Sequence, residues 1–92
     1  MHDWTLVAIH MDWAAGHVRI ELRNRKSVNV TLVAEKVSKL HVPRLQAWGP
    51  SVSINEVTGP RDIGGSKQLL IEVQSGDVIE IAADSFILPA ED

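Results

Sequence analysis

The sequence predicts a small all-β domain, an antiparallel β-sandwich or open barrel of six to eight short strands with little or no helix. Apolar residues alternate along most of the chain, which marks half-buried strands. Turn-forming residues at Ala15-Gly16, Asn24-Arg25-Lys26 and Ser75-Gly76-Asp77 separate these runs at hairpin spacing. No helical crossover lies between the runs, so the strands pair antiparallel. With 92 residues, 45% hydrophobic and 23% charged, the chain has the size and composition of one globular domain, residues 1–92, with one thin core.

The elements follow in order. Val7, Ile9, Met11 and Trp13 share one parity, which Val18, Ile20 and Leu22 continue after Ala15-Gly16. A two-residue turn there sets Trp13 opposite Val18, Met11 opposite Ile20 and Ile9 opposite Leu22, with Asp12 opposite Arg19 and His10 opposite Glu21 on the other face. Trp4, Leu6 and Ala8 fall on the opposite parity and predict an outer apolar patch, covered by another segment or by a second subunit. A second hairpin turning at Asn24-Arg25-Lys26 pairs Leu22 with Val28, Ile20 with Val30 and Val18 with Leu32. The segment Val33–Val42 fits either helical spacing or a bent strand. Pro43 and the β-branched residues favour the strand. Ser51–Val57 alternates as a strand through Val52 and Ile54. Loops are expected at Arg44–Pro50 and Thr58–Ser66, the latter from Gly59-Pro60 and Gly64-Gly65. A third hairpin sets Val73 opposite Ile79 and Ile71 opposite Ile81, and a last short edge strand runs from Asp84 until Pro89 ends it.

Several functional classes drop out. Nine Lys and Arg against twelve Asp and Glu leave a net charge of -3 without a basic stripe, which argues against a nucleic-acid partner. The absence of cysteine removes disulfides, thiolate nucleophiles and zinc ribbons. Met1-His2-Asp3-Trp4 does not open a signal peptide and the apolar runs are far too short for a membrane helix, so a cytoplasmic protein with no membrane association is expected. Gly59–Lys67 lacks the Lys-Ser/Thr that must follow the second glycine of a phosphate loop. Neither Gly49–Ser53 nor Gly64–Gln68 closes the Gly-x-Ser-x-Gly of a nucleophile elbow. No cofactor is implied, and the chain is read as no enzyme.

What remains are surface constellations. His10, Asp12 and Glu21 sit within reach of a divalent ion, but on an open face where cross-strand charge pairing accounts for them. The third hairpin sets Glu72 directly opposite Glu80, a destabilising arrangement that reads first as an exposed pair tolerated in water, and otherwise as a pair compensated by a basic residue, an ion or a partner, or as an acid–base carboxylate pair. Arg23, Arg25 and Lys26 cluster at a turn and read either as a solvated turn or as a dock for an acidic surface. Trp48, in the turn Gln46–Pro50 with Arg44 close by, either plugs the core or faces a ligand.

Leu40-His41-Val42-Pro43-Arg44, followed by Trp48-Gly49-Pro50-Ser51-Val52-Ser53-Ile54-Asn55-Glu56-Val57, resembles a segment of small uncharacterised bacterial β-rich proteins. It is also similar to a β-rich bacterial immunity-protein family with a comparable Trp-Gly-x-Ser-x-x-Ile turn. His2-Asp3-Trp4 and Ser75–Ile79 fit the same order of strands. The resemblance implies a non-enzymatic protein that neutralises a toxin by binding it. The expected function is therefore a protein-interaction module, engaging a protein partner or a second copy of itself. Its candidate contacts are Trp48, Arg44, Trp4, Leu6, Arg23, Arg25 and Lys26. The alternative is a small-ligand or carbohydrate-binding β domain using Trp48, and after it an enzyme with the Glu72–Glu80 carboxylate pair.

Overall fold

The computed structural model describes residues 1–45 and 53–90. Among them the chain forms six strands and no helix: β1 Thr5–Asp12, β2 His17–Arg23, β3 Asn29–His41, β4 Ile54–Ile63, β5 Ser66–Val73 and β6 Val78–Ile87. All lie in one antiparallel sheet in the order β1-β2-β3-β6-β5-β4. Two three-stranded meanders, β1-β2-β3 and β6-β5-β4, are thus joined along β3 and β6.

The sheet curls until its ends meet at one corner. Thr5 bridges Ser53, the Asp3 amide donates to the Ile54 carbonyl at 2.9 Å, and the Ile54 amide donates to the Trp4 carbonyl at 2.8 Å. The concave side holds the core: Trp4, Leu6, Val18, Ile20, Leu22, Leu32, Ala34, Ile54, Leu69, Ile71, Val73, Ile79, Ile81 and Ala83. Burying each larger aliphatic side chain here is worth about 1.5–3 kcal/mol relative to leaving it in water.

Face assignment follows the alternation for β2, β3, β5 and β6, while turn lengths shift every hairpin register by two residues. The β1–β2 turn spans Trp13–Gly16, so Met11 faces Val18, Ile9 faces Ile20, His10 faces Arg19 and Asp12 faces His17. Trp13, expected in the core, stands in the turn instead. A bulge between Leu6 and Ala8 then reverses the parity of the start of β1. Leu6 faces Leu22 on the inner side, Val7 turns outward, and Trp4 is only 1% exposed. The expected outer patch of Trp4 and Leu6 is therefore corrected: both belong to the core.

The β2–β3 turn is longer than expected. The Asn24 carboxamide oxygen accepts the amides of Lys26 at 2.9 Å and Val28 at 3.0 Å, an Asx arrangement that stretches the turn to Val28. Leu22 consequently faces Val30 and Val28 is exposed. The β5–β6 turn sits one residue earlier than expected, with the Val73 amide bonded to the Asp77 carbonyl at 3.0 Å. Ile71 then faces Ile79, Glu72 faces Val78 and Leu70 faces Glu80, so the expected Glu72–Glu80 opposition does not form.

Two further expectations change, and one is met. Residues 58–66 are not a loop: they continue β4, turn at Gly64-Gly65 and start β5. The glycine-proline pair lies in a bulge between Thr58 and Arg61. The segment from Asp84 is not a separate edge strand but the continuation of β6 along β3, with Phe86 facing Ala34. Val33–Val42 adopts the strand alternative as far as His41, kinked at Lys36, whose φ is +54°.

Gly59 is fixed by its surroundings. A Cβ built there, at φ +103°, would stand 2.5 Å from the Gln68 carbonyl oxygen on the paired strand. Gly59→Ala is expected to cost about 2–4 kcal/mol, through backbone strain and displacement of β5. Trp4→Ala, which empties the largest core position, is expected to cost about 3–5 kcal/mol. Urea unfolding followed by circular dichroism measures both. A midpoint within error of the parent for either variant would contradict the packing described.

Candidate functional site

The turn that excludes Trp13 from the core also holds it firmly. The Asp12 carboxylate (Oδ1) accepts the Ala15 amide at 3.2 Å, and the Gly16 amide donates to the Trp13 carbonyl at 3.3 Å. The Gly16 carbonyl in turn accepts the Val37 amide from β3 at 2.8 Å. The turn is thus tied to the strand beyond its own hairpin, and Trp13 projects from it 85% exposed. Beside the ring lies a hollow of about 210 Å³ lined by Met11, Trp13, Val37, Ser38, Lys39 and Leu40. Val37 and Leu40 are partly buried and pack on the core, so the hollow is an apolar mouth at this end of the curled sheet.

A second hollow, of about 360 Å³, shares only Met11 with the first. It is lined by His10, Met11, Asp12, His17, Arg19 and Val33. His10 Nε2 lies 3.2 Å from Glu21 Oε2, a diagonal contact across β1 and β2. Of the metal-ligand set weighed above, His10 and Glu21 therefore meet, while the Asp12 carboxylate is engaged by its turn. No group of three His, Asp or Glu side chains converges as a metal site among the described residues.

The two acids expected to oppose each other have separate partners. Glu72 Oε1 accepts from Asn55 Nδ2 at 2.7 Å. Glu80 Oε2 accepts from Gln68 Nε2 at 2.8 Å and from Lys39 Nζ at 3.2 Å. Those bonds, Gln68 first and Lys39 second, hold the Glu80 carboxyl below its ordinary value against a smaller opposing effect of desolvation.

The sequence-predicted contacts scatter. Trp48 and Gln46 lie outside the described residues. Arg44 is exposed just beyond β3, far along the chain from the turn cations. Arg23, Arg25 and Lys26 stay together and exposed at the β2–β3 end of the sheet, where Arg25 Nε donates to the His2 carbonyl at 3.4 Å. Trp4 and Leu6 are buried, which removes them from any surface. Trp13 is the residue that sequence reasoning misplaced. Its signal was Asp12, an Asx residue whose side chain can cap an amide within the next few positions and so favours the longer turn.

In comparisons with protein families, with curated proteins and with solved structures, the chain matches none.

Trp13→Ser is expected to shift stability by no more than about 0.5 kcal/mol, because the exposed ring leaves no core void. Thermal unfolding checks this, and a large loss would place the ring in the fold rather than on its surface. For Glu80 the sign runs with a lowered folded value. Its stabilisation is present at neutral pH, above the ordinary carboxylate range, and is lost as pH falls through the lowered value. Gln68→Leu is expected to move the Glu80 titration upward in a carboxyl NMR experiment, and an unmoved titration would contradict the assigned cause.

Proposed function

We propose that this chain is a non-enzymatic protein-interaction module whose contact surface is centred on Trp13. One observation carries the reading: a tryptophan 85% exposed on a turn that two backbone hydrogen bonds and one to the Asp12 carboxylate hold in place. Tryptophan is enriched among the few residues that dominate binding energy. A turn whose backbone is fixed before binding also loses little backbone freedom on contact, which is the advantage of preorganisation. The adjoining hollow at Met11, Val37 and Leu40 extends the apolar surface a partner can cover. Neutralisation of a toxin, the form implied by the resemblance to immunity proteins, is one such use, and the toxin is then the partner.

The test replaces Trp13 with benzoylphenylalanine and irradiates the cells that make the protein. The control carries the probe at Val28, exposed at the opposite end of β2. A discrete adduct from position 13 and none from position 28 is the expected result. No adduct at 13, or the same adduct from both positions, would end the proposal.

A further inference from the structure

We propose that the partner received at Trp13 is a second copy of this chain, whose β1 pairs antiparallel with β1 along the free edge of the sheet, centred on Met11. This rests on the reading of Trp13 as the contact surface and names what meets it there.

The sheet has two edge strands, β1 and β4, and they differ in protection. β4 carries bulges between Ile54 and Glu56 and between Thr58 and Arg61, with Pro60 inside the second. Glu56, Arg61 and Asp62 stand exposed along it. Bulges, proline and charge are the devices that keep a sheet edge from pairing with another chain. β1 is different past its own bulge. Ala8–Asp12 pairs with β2 in unbroken register and contains no proline, lysine or arginine. Thr5 bridges Ser53, and beyond Thr5 no strand among the described residues lies along the other side of β1.

What fits this edge follows from its own order of residues. Ile9, Met11 and Trp13 lie toward the concave side: Ile9 and Met11 face Ile20 and Val18, and Trp13 lines its hollow with Met11, Val37 and Leu40. His10 and Asp12 lie on the convex side, facing Arg19 and His17. The run Ile9-His10-Met11-Asp12-Trp13 is thus its own complement about Met11. A two-fold axis there sets Met11 against Met11, Ile9 against Trp13 and the His10 imidazole against the Asp12 carboxylate, each on the matching face. Ile9 with Trp13 is an aromatic and β-branched pair, a favourable cross-strand combination. His10 uses Nε2 toward Glu21 and Asp12 uses Oδ1 for the Ala15 amide, which leaves His10 Nδ1 and Asp12 Oδ2 for each other. Neighbouring axes fit worse. Centring on His10 opposes the two imidazoles and sets Asp12 against Ala8, while centring on Asp12 opposes two carboxylates.

Five residues a side, against the roughly 20–30 of a standard interface, make a weak dimer with a Kd between about 10 μM and about 1 mM. Sedimentation equilibrium across that range is expected to show it. The chain has no cysteine, so single introduced thiols report the register. Met11→Cys sets its thiol against its own copy on the axis, at the Cα separation of about 4.5–5.5 Å where disulfides close, and should link into a dimer on mild oxidation. His10→Cys places its two thiols a diagonal apart, about 7–8 Å, and should not link. Val28→Cys, exposed at the opposite end of β2, should not link either. His10 is exposed, so its variants should fold. His10→Asp opposes carboxylates at both symmetric positions and should weaken the dimer about four- to thirtyfold, whereas His10→Lys keeps base opposite acid and should not.

A monomer throughout the range, linkage of His10→Cys or Val28→Cys as fast as Met11→Cys, or equal dimerisation of His10→Asp and His10→Lys would overturn the proposal. Failure of the underlying reading looks different. In the cross-linking experiment at position 13, an adduct of twice the chain's mass supports the second copy. An adduct with another protein removes the second copy and keeps the contact surface, and no adduct removes both.

Discussion

Everything else in this fold depends on the corner where the two ends of the sheet exchange hydrogen bonds. A single sheet has one apolar face and no second layer to place over it. Curling lets residues from opposite ends of the sheet cover one another, and the Trp4–Ile54 and Asp3–Ile54 bonds hold that curl. Trp4 serves twice: its carbonyl accepts from Ile54 and its side chain lies within the core the curl encloses. Ile54 does the same from the other edge, fully buried while its amide and carbonyl both reach across. The polar accounting agrees, because no buried side-chain nitrogen or oxygen among the described residues lacks a partner.

Fold class and sidedness were legible in the sequence; register was not. Alternation has a period of two, so a hairpin displaced by two residues puts the same residues inside. Val18, Ile20, Leu22 and Ile71, Ile79, Ile81 were for that reason assigned to the right face with the wrong partners. In the first two hairpins, side chains acting on the backbone go with the shift: the Asp12 carboxylate on Ala15, and the Asn24 carboxamide on Lys26 and Val28. The bulge at Val7 is a different failure. A single extra residue exchanges the faces, and no local feature of Thr5-Leu6-Val7-Ala8 announces it, because apolar residues occupy both parities there.

The candidate site was lost through the same ambiguity. A two-residue turn makes Trp13 the last core residue of β1, while a four-residue turn makes it the most exposed aromatic among the described residues. Trp4 moved the opposite way, from supposed surface to core. The chain thus exchanged two tryptophans between inside and outside without any change in its hydrophobic pattern. The cations are easier to read, since charged side chains stay at the surface in either register. Their neutralisation is not, because Glu21 meets His10 diagonally and Glu80 draws on Gln68 from one neighbouring strand and Lys39 from the other.

The pairing of β3 with β6 also dictates how the protein must be made. When β3 leaves the ribosome it can bond to β2 along Asn29–Ala34, but the far edge of Val33–His41 waits for Val78–Ile87. Through that interval the first meander holds Val18, Ile20, Leu22 and Leu32 on a face with nothing opposite it, beside an open strand edge. Such an intermediate is prone to intermolecular pairing, and its contacts mature slowly because they join distant parts of the chain. A nascent chain stalled before β6 is therefore an adhesive half-sheet rather than a smaller version of the domain.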